Sequence, residues 1–256
     1  MVLKLSARSI HESAQRTAAA WDREVAAELM ALYSGHMRAL GVSVDAVAAF
    51  VRTVRDYAVA YHVDGKRETF RMVVVALALG AHFPHDPRLA HGVAHALGRT
   101  AIPQGRRTAM LGDMAEAWLG ATWDGDGLDA RGARLVDRVR RWDGQRDETA
   151  IERGDVEAAL TDLVPQSPTI ATPARRSASL DAALAQADGY GLHDPCRRLA
   201  YAGGMLLHGT YWFDDPLMTR LRAAVEGAGA RDDLCARMAA FYVRFSAAEG
   251  ATTDGA

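Results

Sequence analysis

The chain has 256 residues, 49% of them apolar, enough to enclose one large core or two smaller ones. Its 30 lysines and arginines nearly balance 32 aspartates and glutamates, and the formal net charge of -2 excludes a whole-molecule field that would draw in nucleic acid or an anionic membrane. The two cysteines, Cys196 and Cys235, exclude a disulfide framework, lack CxxC spacing and fit a reducing compartment.

The N-terminal stretch MVLKLSARSIHESAQR turns polar too early for a secretory signal, so the expected location is the cytoplasm. Ser9 and Glu12 have capping-box spacing, and Trp21, Val25, Leu29, Leu32 and Tyr33 continue an apolar stripe, which predicts one long helix or a broken pair. Val47, Phe50, Val51, Val54, Ala58 and Tyr61 follow helical spacing after Ser43, a suitable N-cap, and predict an amphipathic helix. The longest apolar run, Met72 to Ala81, is flanked by Arg71 and His82 and is about half the roughly 20 residues of a membrane span, so it predicts a buried core helix. Further helices are expected over Pro87 to Leu97, Arg106 to Leu119, Leu128 to Trp142 and Val156 to Leu163.

Residues Pro165 to Ser179 hold three prolines among small polar residues and read as a linker. It would divide an N-terminal unit, 1–164, from a C-terminal unit, 180–250. Helical pattern resumes at Leu180, Leu184, Ala187 and Tyr190, then over Arg197 to His208, Pro216 to Val225 and Leu234 to Phe245. Alternating strand patterns are scarce, and the expected class is all-α with several helices.

The segments flanking the linker match each other at an offset of 129 residues, as Gly80 against Gly209 gives 209 − 80 = 129. Ala58 falls on Ala187, Tyr61 on Tyr190, Leu77 on Leu206, Asp86 on Asp215 and Pro87 on Pro216, with similar types at Val63 and Leu192, Phe83 and Trp212, and Leu89 and Met218. An internal duplication of one helical unit is therefore expected. The shared signature has a folding explanation. Gly80 and Gly209 suit left-handed helix ends, an aromatic plugs the gap, and Asp86 and Asp215 cap the next helix with Pro87 and Pro216 in its first turn.

The pattern Ala, Tyr-Gly-aliphatic, an apolar helix, then Gly-x-x-aromatic-x-x-Asp-Pro resembles small helical accessory proteins encoded in type VI secretion gene clusters. It is carried here by Ala58, Tyr61, Val63, Gly80, Phe83, Asp86 and Pro87, and again by Ala187, Tyr190, Gly191, Leu192, Gly209, Trp212, Asp215 and Pro216. The likeness covers roughly residues 10 to 100, with His62 in place of the usual glycine in the first copy. It implies a bacterial protein beside the secretion machinery, acting as an adaptor, effector chaperone or immunity protein, and it carries over no catalytic residues.

Two constellations are candidate sites. In HFPHDPRLAHGVAH, His82, His85, His91 and His95 are clustered, and His91 and His95 are spaced i, i+4, so one helix face would offer two imidazoles to zinc or iron. Against that, polar residues are common in loops and Asp86 already serves as a cap. Tyr211, Trp212 and Phe213 in an interhelical loop, and Arg134, Arg138 and Arg141 on a basic helix, are candidates for contact with a protein partner. The cysteines read as inert small hydrophobes. The leading expectation is a non-enzymatic protein-binding factor with no cofactor, the partner being a secreted effector or spike component. The alternative is a metal-dependent enzyme using the histidines, and the oligomeric state is left open.

Overall fold

The computed structural model describes residues 7–122, 127–142, Leu163 and 173–250. Those residues form α-helices and two short 3-10 turns, with no strand among them, so the class is all-α. No described helix is long and apolar enough to cross a membrane. The expected helix ending at Leu163 and the linker residues 165–172 fall outside the described residues, apart from Leu163 itself.

The N-terminal helix α1 (Ala7–Leu32) lies along α3 (Val44–Ala60), with the short α2 (Ser34–Leu40) between them. Ser43 caps α3 as its spacing requires, its hydroxyl accepting from the Ala46 N–H at 3.2 Å. Val47, Phe50, Val51, Val54 and Ala58 are all buried on one face. Ser9, by contrast, lies inside α1, which already runs from Ala7. Leu32 and Tyr33 are exposed, since the chain leaves the helix at Tyr33 and the end of the apolar stripe swings out of the core.

The apolar run forms α4 (Lys66–Leu79), where Met72, Val73, Val75, Ala76 and Leu79 are buried. After it come α5 (Ala90–Leu97), α6 (Gln104–Thr122) and α7 (Leu128–Arg141). The second half contributes α8 (Pro173–Gly189), α9 (Pro195–His208), α10 (Thr219–Glu226) and α11 (Arg231–Gly250). Residues 173–179, expected in the linker, are the first turns of α8; Pro173 opens that helix, where a missing N–H costs nothing. Helix α7 packs on α9 and α11, and α2 on α11, so apolar side chains from both halves enter one core. Gly203 and Gly204 of α9 make this possible, because a Cβ there would meet Leu135 of α7 at 2.2 Å and Trp212 at 2.6 Å.

The two Gly-x-x-aromatic-x-x-Asp-Pro segments meet at the centre and exchange hydrogen bonds. Asp215 accepts from the Ala81 N–H at 2.7 Å, while Asp86 accepts from the Thr210 N–H at 3.2 Å. Asp215 caps the 3-10 turn Pro216–Met218 through the Leu217 N–H at 2.8 Å, whereas Asp86 accepts from the Arg88 N–H at 2.9 Å but does not cap α5 as expected, because that helix starts only at Ala90 behind Leu89. Gly80 and Gly209 have positive φ as expected, but with ψ of 153° and 159° they are extended rather than left-handed helical, a region open only to glycine. The helix they end gains no Schellman closure from them. The closures occur instead after α3 and α8, where the Val63 N–H reaches the Ala58 carbonyl at 2.8 Å and the Leu192 N–H reaches Ala187 at 2.9 Å.

The paired carboxylates differ in neutralisation. Asp86 is buried against Arg88, whose guanidinium lies 2.7 Å away and also donates to the carbonyls of Leu206 and Met205 at the end of α9. That charge and its hydrogen bonds hold the Asp86 carboxyl below its usual range despite burial. Leu217 stands where Arg88 stands in the first segment, and Asp215 has only backbone donors, so burial pushes its carboxyl up. Arg107 plays a similar role: fully enclosed, it donates to Tyr61, His62, Leu97 and Ile102 and so closes the ends of α3 and α5.

His208 at the end of α9 is buried beneath Tyr242, with Nε2 3.1 Å from the phenol oxygen and the rings nearly parallel at 13°. Burial, with a smaller contribution from His36, pushes its pKa down from 6.5 to about 3. The unfolded chain therefore takes up a proton below pH 6.5 that the folded chain refuses until about pH 3, and stability falls as pH drops through that window. Between pH 7 and pH 5 the His208→Gln variant is expected to lose about 2 kcal/mol less than the parent chain, read from urea unfolding at both pH values.

Candidate functional site

His82 and His85 do come together, with Tyr57 of α3 and Tyr211 of the second segment. The Tyr57 hydroxyl lies 2.8 Å from His82 Nδ1, and the His85 ring sits edge-on to Tyr57 at 5.1 Å and to Tyr211 at 6.3 Å. Burial pushes the Tyr57 phenol up, and whether its hydroxyl donates or accepts in this bond depends on whether His82 carries its proton on Nε2 or on Nδ1. That Nε2 is buried without a hydrogen-bond partner. The crevice beside it, between the two glycine turns, has no room for even a water molecule. His91 and His95 are exposed on α5, and Asp86 is engaged by Arg88. Among the described residues no three histidine, cysteine or carboxylate side chains are grouped to hold a metal ion.

The expected contact aromatics divide. Trp212 and Phe213 are 1% exposed, which withdraws them from any partner: the Trp212 indole donates to the Tyr201 carbonyl at 3.0 Å, and Phe213 packs against Tyr190 and Tyr201. They face inward because the glycine turn points the whole loop at the core beside Gly204. Tyr211 alone of the three keeps a partly open face. On α7, Leu128, Leu135, Val136 and Val139 turn to the core, leaving Arg138 and Arg141 exposed and Arg134 half-buried; Arg141 pairs with Asp137 at 2.9 Å.

A larger concavity lies elsewhere. The first half of α1 outruns the core and stands clear of α3 and α4, leaving an open groove of about 810 Å³. Its floor and sides are apolar, from Ala14, Ala18 and Trp21 of α1 to Val59 and Val63 opposite. Val59 is 64% exposed, an apolar side chain on the open side of a helix whose other face is buried. The cations Arg16, Arg55 and Lys66 line the groove against one acid, Asp64. Beneath the wall, the buried Asp22 of α1 lies 3.3 Å from Arg55 and 3.9 Å from Arg52. Burial pushes the Asp22 carboxyl up and the two arginines oppose that. Asp22 thereby holds Arg55 across the α1–α3 gap.

Sequence reasoning overlooked this groove because Trp21 sits in the apolar stripe with Val25 and Leu29. The available signal was Val59, which lies off the face formed by Val47, Phe50, Val51, Val54 and Ala58. Comparison of the chain with protein-family models, curated proteins and solved structures finds no match.

Proposed function

We propose that the chain is a non-enzymatic protein-binding accessory factor acting beside a bacterial type VI secretion machine as an adaptor, effector chaperone or immunity protein. The observation that carries the binding reading is the α1–α3 groove, apolar within and with cations at its edge, where residues 12–17 of α1 are exposed. The secretion context rests on the resemblance of the tyrosine, glycine and Asp-Pro segments. The fold consumes those residues: the glycines, Trp212, Asp86 and Asp215 are all committed to one another or to the core. The offset of 129 residues and the reciprocal bonds support a duplicated helical unit.

The test is affinity capture of the tagged chain from its native host, with mass spectrometry and metal analysis of the same eluate. A spike or effector protein in stoichiometric amount is the expected result, reduced by Val59→Asp, which places a charge on the groove's apolar side. Stoichiometric zinc or iron without a protein partner would overturn the proposal in favour of the histidines near Tyr57.

A further inference from the structure

Resting on the protein-binding reading, we infer that the α1–α3 groove receives one amphipathic helical segment of the partner, apolar on the inserted face and acidic on its flanks. Shape and charge each argue for this occupant. Groove residues on α1 run from Ser13 to Trp21, about two turns, and Ala14 and Ala18 are spaced i, i+4 on that wall. Such small side chains let a second helix approach closely, and the apolar residues opposite would cover its inner face.

Charge selects the partner's flanks. The molecule as a whole is slightly acidic, yet among the described residues Arg16 and Lys66 line the groove with one acid, Asp64, while the third lining cation, Arg55, is already paired with Asp22 and Asp56. Arg16 and Lys66 are exposed, on α1 and at the start of α4 respectively, so they are the cations left to meet an incoming carboxylate, whereas Arg55 is half-buried between Asp22 and Asp56. Glutamates on the occupant's flanks meet these cations; lysines there would be repelled, which supplies the discrimination.

The experiment uses the full chain and two fluorescein-labelled synthetic peptides of 18 residues, both with leucines at i, i+3, i+4 and i+7, one flanked by glutamates and the other by lysines, with sodium dodecanoate as a competitor. Fluorescence anisotropy is expected to show tighter binding of the glutamate peptide, weakened about tenfold or more in the double variant Arg16→Glu, Lys66→Glu and by added salt. The double variant is expected to prefer the lysine peptide. Both replaced side chains are exposed, and a circular-dichroism melt matching the parent chain verifies the fold. Equal affinity for both peptides, an unchanged preference in the double variant, or binding of dodecanoate without either peptide would each overturn the inference. Repeating the host capture with the double variant separates the two claims. A partner retained by parent and variant alike sinks the groove while protein binding stands, and no partner with either sinks the underlying reading.

Discussion

Replacing Arg88 by leucine is expected to lower the unfolding free energy by about 3–5 kcal/mol at pH 7, one of the two largest single effects in the molecule. The change removes the cation from a carboxylate that is 1% exposed and leaves the Leu206 and Met205 carbonyls without their donor. It also takes a guanidinium off the face of Trp118, 5.3 Å from the ring centre. Leucine is what the second segment carries at this place, and Asp215 there is sustained by two backbone N–H groups alone. The loss should therefore depend on pH with a definite sign. Asp86 in the parent chain is held below its usual range, so its stabilisation is present above the unfolded pKa and disappears as pH falls through the folded one. In the variant burial acts unopposed by a cation, the carboxyl moves up, and the penalty grows as pH rises from about 4. Urea unfolding of both chains at pH 4 and pH 7 checks this: a difference that is small at both pH values would show that Arg88 does not neutralise Asp86.

Gly80→Ala and Gly209→Ala are each expected to cost about 3–5 kcal/mol, combining backbone strain with an overlap that only movement of main chain relieves. A Cβ at Gly80 would stand 2.6 Å from the His208 carbonyl oxygen, and one at Gly209 would stand 2.8 Å from that of Leu79. Both φ values, 91° and 101°, are also outside the range that alanine readily adopts. Gly120→Ala supplies the contrast, because nothing lies within 4 Å of the added carbon on α6; it should be neutral or stabilising by up to about 1 kcal/mol. Equilibrium denaturation of the three variants decides the matter. A Gly80→Ala chain as stable as the Gly120→Ala chain would mean that the turns do not need their close approach.

Much of the helical skeleton was legible because its signals are local. The 3.6 periodicity of α3, the Ser43 cap and the apolar run of α4 each depend on neighbours a few residues away. What was not legible depends on residues far apart in the chain. The clasp between the glycine turns joins positions 134 and 124 apart, and sequence spacing assigned Asp86 and Asp215 only local work, as caps. Arg107 gave no sign of burial, since its partners are carbonyl oxygens that every residue possesses, and the Asp86–Arg88 spacing did not show that the pair is enclosed beneath the end of α9. The sequence offered Trp212 both as the aromatic that plugs the gap and, with Phe213, as a partner contact; both are buried, because Gly204 of α9 admits Trp212 to the core. The linker was placed too long for a related reason. Proline signals a break in most contexts, yet at the head of α8 it belongs to the helix.

The clasp also bears on when the chain can fold during its synthesis. When Ala81 and Asp86 leave the ribosome, the Asp215 carboxylate and Thr210 amide that complete them have yet to be made, 215 − 81 = 134 and 210 − 86 = 124 residues later. Until then water satisfies the first turn as well as the fold would, and α4 emerges with Met72, Val73 and Ala76 ready for burial but without the second turn to close over its end. The nascent N-terminal half can already pack α1 on α3 and α4 on α6, but the clasp over the end of α4 closes only once Thr210 and Asp215 have been made.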